Sequence, residues 1–484
     1  MRTVMEVLAS IQPVVVAAGS IAVSVIATVH ILLTKRDVRA AIAWTGFVWF
    51  VPLVGALLYL LLGINRISRR AERLREGRRR AERRSGEHSL AIVAGAAEPP
   101  AATLPALRRA VERVTGCPVL PGNRIDVLEG GDRAFEAMLA AIDGARETIG
   151  LATYIFDHDP TGRRFAEALG RAVARGVEVR VLVDAVGSRY SKPPITGLLR
   201  RHGVPVALWL PLRVPVTMPY FNLRNHRKLL VADGRTGFVG GMNLRHGALL
   251  GAQEENALHD VHFRVAGPVV GQLVDGFAEG WTFTTGEALD GRGWYPPLEA
   301  VGGVEARGIP DGPGSELETL RFTLLAALAE ARHAVRIVTP YFLPDAALAS
   351  ALEVTAMRGV RVDIVIPARS NLRLVEWATW PGLYELLRRG CHVWRSAPPF
   401  DHSKLMTVDG TWSLVGSANW DARSLRLNFE YNLEAYDAAF TAEVDALVAA
   451  RLARSTPLTL ADLRALPRWV RLRNSLAWLA SPYL

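Results

Sequence analysis

Two segments of this 484-residue chain carry the same pattern 176 residues apart, and that duplication constrains the fold more than any other feature. The first, NHRKLLVADGRTGFVGGMN, ends at Asn243; the second, DHSKLMTVDGTWSLVGSAN, ends at Asn419. His226 and His402 share this offset with Lys228 and Lys404, Asp233 and Asp409, Gly240 and Gly416, and Asn243 and Asn419. Five matched polar or glycine positions at one spacing mark two copies of one structural unit. Lysine usage sharpens the point. The chain has only Lys35, Lys192, Lys228 and Lys404 among 57 lysines and arginines together. Two of the four fall at equivalent positions, where a cation set by composition alone would be arginine.

Around each copy, helical and strand patterns alternate. Residues 132–145 and 164–175 have helical spacing, and 148–156 and 177–183 read as short apolar strands. The order recurs as helix 316–332, strand 334–342, helix 346–358 and strand 360–366, with RGVEVRVLV at Arg175 matching RGVRVDIVI at Arg358. This predicts an α/β fold with a largely buried sheet. Half of the residues are hydrophobic, which excludes a disordered polar chain. Cys117 and Cys391 stand far apart, so neither a disulfide framework nor a zinc site is expected.

In a strand, residues i and i+2 point to one face, so H-x-K sets an imidazole beside an ammonium. Two such sets facing each other give two imidazoles, two ammonium groups and the carboxamides of Asn243 and Asn419. That combination suits a phosphoryl group: cations and amides hold the non-bridging oxygens without a metal. One histidine attacks phosphorus while the other protonates the leaving oxygen. An imidazole nucleophile needs a partner on its other nitrogen. Asp260, 17 residues after Asn243, and Glu430, 11 after Asn419, are the candidates. Asp233 and Asp409 precede glycines at strand ends, where a turn-capping carboxylate and a chemical one are equally compatible with the pattern.

Residues 13–33 and 40–64 carry no Asp, Glu, Lys or Arg, and each is long enough to cross about 30 Å of hydrocarbon. Six residues join them, as in a helical hairpin. A secretory signal is disfavoured, because the first run is too long and a second comes at once. Trp44, Trp49 and Tyr59 are of the kind that anchor at an interface. Between Arg66 and Arg84 lie ten arginines and three glutamates, placing the remainder of the chain in the cytoplasm. The three cations of the short loop oppose that bias. Residues 91–105, rich in Ala, Gly and Pro, read as a linker. Three further stretches suit a lipid interface or ordinary packing equally: 208–221, the segment holding Trp377 and Trp380, and 466–484 with Arg468, Trp469, Arg471, Arg473 and Trp478.

The paired H-x-K-x4-D with G-G/S-x-N resembles the phospholipase D superfamily. With the hairpin, YIFDHDPTGRRF, TPYFLPDAALASAL and NSLAWLASPYL, nearly the whole chain resembles its bacterial cardiolipin synthase branch. It departs after Leu244, where RHGALLGAQ replaces an acidic stretch. The resemblance implies two tandem α/β/α halves with pseudo-twofold symmetry behind a transmembrane helical hairpin. The expected division is 1–65 hairpin, 66–105 arginine-rich segment and linker, 106–300 first half and 301–484 second half. It also implies cofactor-free, metal-free phosphatidyl transfer between two phosphatidylglycerol molecules, with phosphatidylethanolamine as another possible substrate. His226 would be the nucleophile and His402 the acid and base, although the motifs themselves are symmetric. Lys228, Asp233, Lys404 and Asp409 complete the motifs, and Asn243 and Asn419 would bind substrate. Glu430 would support His226, and Asp260 would support His402, each across the halves. The partners are phospholipids and the bilayer of the bacterial inner membrane; nucleic acid is disfavoured, and a homo-oligomer is left open. A phospholipase that uses water as acceptor and a non-catalytic membrane scaffold are the alternatives. The scaffold predicts a lost His or Lys, and none is lost.

Overall fold

The computed structural model describes residues 2–35, 38–63, 103–211, 223–251, 257–312 and 318–484. The arginine run, nearly all of the linker and most of the apolar stretch 208–221 lie outside the described residues. The chain divides into an N-terminal helical unit and a large α/β unit.

In the N-terminal unit, helix α1 spans Arg2–Thr34. The second apolar run is not one helix as expected: α2 (Val38–Phe50) stops at Val51, and α3 (Pro52–Leu58) leads into a π-helical turn, Tyr59–Gly63. Pro52 has no N–H to donate and disfavours helical dihedrals at the preceding residue, and Val51 sits at φ −136°, ψ 74°. Among the described residues, only Val15–Thr34 is long and apolar enough to cross a membrane by itself. The helices associate through small and polar groups. Ser24 Oγ donates to Val48 O at 3.2 Å, and Trp49 Nε1 donates to Thr28 Oγ1 at 3.0 Å. His30 Nδ1 and the Tyr59 hydroxyl lie 2.8 Å apart. Tyr59 is therefore buried between helices, while Val15, Ile26, Leu33, Val38 and Phe50 face outward. An apolar exterior around a polar-stitched interior is the arrangement of helices packed in lipid.

The α/β unit is built on one sheet of fifteen strands among the described residues. The first half contributes β1 (Leu120–Glu129), β2 (Thr148–Thr153), β3 (Glu178–Asp184), β4 (Val206–Trp209), β5 (Leu229–Ala232), β6 (Thr236–Gly240) and β7 (Val261–Ala266). The second contributes β8 (Val304–Asp311), β9 (Ala334–Val338), β10 (Arg361–Pro367), β11 (His392–Ser396), β12 (Leu405–Val408), β13 (Trp412–Gly416), β14 (Glu430–Tyr436) and β15 (Ser455–Leu458). Their order is β15-β11-β10-β9-β12-β13-β14-β8-β1-β7-β6-β5-β2-β3-β4. Each half runs three parallel strands (β2-β3-β4, β9-β10-β11) into an antiparallel set, and β1 pairs antiparallel with β8 at the centre. The pseudo-twofold symmetry is thus that of two halves fused through a continuous sheet.

Burial fits this topology. Strands β5 and β12, LLVA and LMTV, are buried at every residue, as expected for strands covered on both faces. Helices Val270–Thr285 and Pro160–Ala174 cover the first half, and Ala438–Ala453 and Ala346–Met357 cover the second. A core containing Phe277, Trp281, Tyr431, Phe440 and Val444 draws on both halves. The boundary expected at residue 300 separates sequence repeats but not packing units. Helix Pro105–Thr115 places Leu107 and Val111 in the core of the second half, beside Leu320 and Leu324. Glu330 accepts from the N–H groups of Ala106 and Leu107.

Candidate active site

The two motifs meet because each is paired to the opposite half just before its histidine. Asn225 bridges in parallel to Phe429; His226 N–H donates to Phe429 O and Phe429 N–H to Arg224 O, both at 2.8 Å. In the second copy Phe400–Asp401 pairs in parallel with Leu258–His259, and His402 N–H donates to His259 O at 2.6 Å. The residue after Phe429 is Glu430, and the residue after His259 is Asp260. Each register therefore delivers a carboxylate to the other half's imidazole. His226 Nδ1 lies 2.9 Å from both oxygens of Glu430, and His402 Nδ1 lies 2.9 Å from Asp260 Oδ2.

The glycines of the motifs permit this approach. A Cβ on Gly240 would lie 2.6 Å from His262 Nδ1, and one on Gly241 would lie 2.5 Å from Asp260 Oδ1. A Cβ on Gly416 would lie 2.4 Å from Asn432 Oδ1. At the position equivalent to Gly241 stands Ser417, whose hydroxyl donates to Glu430 Oε2 at 2.6 Å.

The lysines take different partners. Lys228 Nζ donates to His226 O at 2.7 Å and stands 5.7 Å from the centre of the Tyr154 ring. Lys404 Nζ donates to His402 O and lies 2.9 and 3.2 Å from the two ring nitrogens of His402. All four groups are nearly fully buried. Burial, reinforced by Lys228 and Lys404, holds His226 well below the usual imidazole range. Burial and Lys404 bring His402 down to about 4. Burial also lowers Lys228 to about 7 and Lys404 to about 8, and raises Glu430 to about 7. Both imidazoles are consequently neutral at pH 7. With Nδ1 committed to a carboxylate, Nε2 is the nitrogen left for chemistry on His226.

The carboxamides are not used alike. Asn243 Oδ1 accepts from Ile155 N–H at 3.0 Å, whereas Asn419 Nδ2 donates to Ser424 Oγ at 3.2 Å. The placing of Asp233 and Asp409 among the catalytic residues is corrected by the structure. Asp233 accepts from the N–H groups of Arg146, Glu147 and Thr148, and Asp409 from those of Arg332, His333 and Ala334. Each closes the turn at the far end of its strand, about 16 Å of extended chain from the lysine. Both hold positive φ, 51° and 53°.

Several residues of the site were not anticipated. Tyr154 stands edge-on to His226 with ring centres 5.3 Å apart, and Tyr341 to His402 at 6.2 Å. Asn428 Nδ2 donates to Glu430 Oε1 at 3.1 Å, joining Ser417 on that carboxylate. The G-G/G-S difference was the signal for Ser417. The tyrosines had a weaker one, because Thr153 and Thr339 each donate to the carbonyl two residues on, which matches Tyr341 to Ile155 rather than to Tyr154. Trp377 and Trp380 are half-buried and covered by arginines: Arg473 lies 4.3 Å over the Trp377 ring, and Arg395 lies 5.4 Å over that of Trp380.

Two H-x-K sites crossed by carboxylates on a duplicated mixed sheet define a phospholipase D-like enzyme. The family model described as cardiolipin synthase, PLD-like domain, matches residues 138–281 and 324–451, and a phospholipase D-nuclease N-terminal model matches 22–63. Cardiolipin synthase A of Pseudomonas aeruginosa (strain LESB58) is 34% identical over 471 residues, spanning 95% of this chain and 94% of that protein. Cardiolipin synthase A of Pseudomonas putida is 32% identical over 471 residues, 95% of each. The chain belongs to the cardiolipin synthase family of phospholipase D-like proteins. The crystal structure of phosphatidylserine synthase from Haemophilus influenzae Rd KW20 superposes with a TM-score of 0.61 at 14% identity, covering 78% of this chain and all of that one. At that identity the likeness concerns the fold.

Proposed function

We propose that the chain is a cardiolipin synthase that moves a phosphatidyl group from one phosphatidylglycerol to the headgroup of another, releasing glycerol. The observation that carries this reading is the pair of buried, neutral imidazoles, each held at Nδ1 by the other half's carboxylate between two ammonium groups. Such a pocket binds a phosphodiester and performs nucleophilic and acid–base chemistry in one place.

In the first step His226 Nε2 attacks phosphorus, and the phosphorus–oxygen bond to the departing glycerol breaks. The bound phosphodiester offsets the field of Lys228 and Lys404, so His402 takes up a proton and passes it to the leaving oxygen. In the second step neutral His402 accepts the proton of the acceptor hydroxyl. That oxygen attacks phosphorus, and the phosphorus–nitrogen bond to His226 breaks. The asymmetry of the lysines supports this division of labour. Both lysines donate to the carbonyl of their own histidine, but Lys404 also lies within 3.2 Å of both ring nitrogens of His402, whereas the hydrogen bond of Lys228 is to the carbonyl and not to the His226 ring.

The protein is membrane-associated, and we place it in the bacterial inner membrane as a multi-pass protein with the α/β unit in the cytoplasm. The ten arginines between Arg66 and Arg84 support that orientation. Purified protein given phosphatidylglycerol alone, in excess EDTA, should form cardiolipin and glycerol in equal amounts, read by mass spectrometry. Phosphatidic acid in place of cardiolipin would assign water as the acceptor. No turnover, or turnover that requires added magnesium, would reject the mechanism.

A further inference from the structure

The C-terminal helix Arg468–Trp478 is amphipathic in an unusual sense. Its Asn474 and Ala477 are buried, and Val470 and Arg473 half-buried, where it docks on helix Arg373–Arg388. The opposite face presents Trp469, Leu472, Leu476 and Leu479, each between 59% and 68% exposed. These positions, i, i+3, i+7 and i+10, form one stripe. A helix on a water-facing surface places polar residues there instead.

The two helices run antiparallel. Arg464 reaches the Tyr384 hydroxyl, Arg473 covers Trp377, and Ala477 joins the cluster of Val375 and Ala378. Exposed Leu372 and Leu374 therefore extend the stripe at its Leu476 and Leu479 end. Charge identifies the occupant. From Leu463 to the terminus the chain has four arginines and no acidic residue, and Arg468 and Arg471 are exposed at the border of the stripe. Exposed leucine and tryptophan bordered by arginine match the boundary between acyl chains and anionic headgroups.

We propose that this helix is an in-plane docking element that seats the α/β unit on an anionic bilayer surface, a proposal that rests on the membrane-lipid reading of the site. The seat adjoins the chemistry. The cluster under the helix includes Tyr341, whose ring faces His402, and the final turn Ser481–Tyr483 packs against Ala422–Arg426, just past Asn419. Docking here holds the rim of the pocket at the headgroup level, so a phosphodiester travels only a short distance out of the leaflet.

The test places a nitroxide at Leu476→Cys in full-length Cys117→Ser protein, with Glu443→Cys as the reference, in vesicles of phosphatidylglycerol and phosphatidylethanolamine. The label at 476 should collide with oxygen more than with a water-soluble nickel chelate, and the label at 443 should do the opposite. In vesicles of phosphatidylcholine alone, the label at 476 should shift toward water. Water-like collisions at 476 in the anionic vesicles would overturn the proposal. Spin–spin broadening that disappears on dilution with unlabelled protein would also overturn it, assigning the face to a second copy. This readout needs no turnover, so it stands apart from the assignment of activity. As a second arm, Leu472→Glu with Leu476→Glu should lower turnover of bilayer phosphatidylglycerol at least tenfold, and leave turnover of a monomeric short-chain analogue unchanged. Equal losses on both substrates would reduce the helix to a packing role.

Discussion

The first copy of the motif holds its imidazole differently from the second. His226 meets both oxygens of Glu430, a carboxylate that also accepts from Ser417 and Asn428. His402 meets one oxygen of Asp260, whose other oxygen accepts from Val261 N–H. The shorter carboxylate faces Gly241, which leaves no room for a hydroxyl; the longer one faces Ser417, which supplies it. One symmetric sequence thus yields one firmly clamped ring and one ring lying against an ammonium. That difference is what lets otherwise equivalent histidines take unequal roles.

The most severe way to break the comparison is to remove each ring. His226→Ala should lower turnover by about 10⁴-fold or more and form no covalent adduct. His402→Ala should lose a comparable factor on phosphatidylglycerol, yet still form a phosphatidyl-histidine from a substrate whose leaving group needs no proton. Peptide mass spectrometry locates that adduct, and finding it on residue 402 in the unaltered protein would reverse the roles.

Neutralising the clamps is next in size. Glu430→Gln should cost roughly 10³-fold through loss of the tautomer that exposes Nε2. Its effect should fall on adduct formation, whereas Asp260→Asn, on a substrate whose leaving group needs no proton, should slow only adduct breakdown. Rapid-quench single turnovers separate the two, and identical effects on both steps would mean the rings are interchangeable.

Lysine replacement is smaller. Lys228→Arg and Lys404→Arg should each lose about 10²-fold, because a planar guanidinium does not fit an ammonium's place. Lys228 and Lys404 are held near 7 and 8, so their charge is present below those values and lost above them. Above pH 7, where ionisation of Glu430 completes the clamp on His226, the kcat/KM of the unaltered protein should therefore fall as pH rises to 9. In Lys228→Arg the guanidinium stays charged, so the limb near pH 7 should disappear. An unchanged profile in that variant would sever Lys228 from substrate binding.

The smallest effect on chemistry is expected at Asp233 and Asp409. Replacing either with Ala removes the acceptor of three N–H groups and should cost about 1–3 kcal/mol of stability. The rate of the folded protein should remain within a factor of two or so. A large loss in kcat without loss of melting temperature would return these carboxylates to the reaction.

Much of this was legible in the sequence because it is local or repeated. Periodicity located the two strands preceding each motif to within a few residues, and the constant offset exposed the duplication. How far Pro52 breaks the second apolar run was not legible, since sequence does not say how far the ladder recovers beyond a missing N–H. The role of Asp233 stayed open because a turn and a pocket both accept an aspartate. Trp377 and Trp469 looked alike as aromatic residues near arginine; in the structure Arg473 lies over both rings, and only packing left Trp377 half-buried and Trp469 exposed.

The sequence by itself determined that two phosphate-binding units exist, which residues form them, and that an apolar segment precedes them. Those properties depend on side-chain chemistry and short spacings. The residue pattern left open which carboxylate serves which histidine; the family resemblance implied the crossed pairing, and the tertiary structure supplies its physical basis. That choice rests on Asn225 pairing with Phe429 and Asp401 with His259, contacts between residues more than a hundred positions apart, whose register no local pattern encodes.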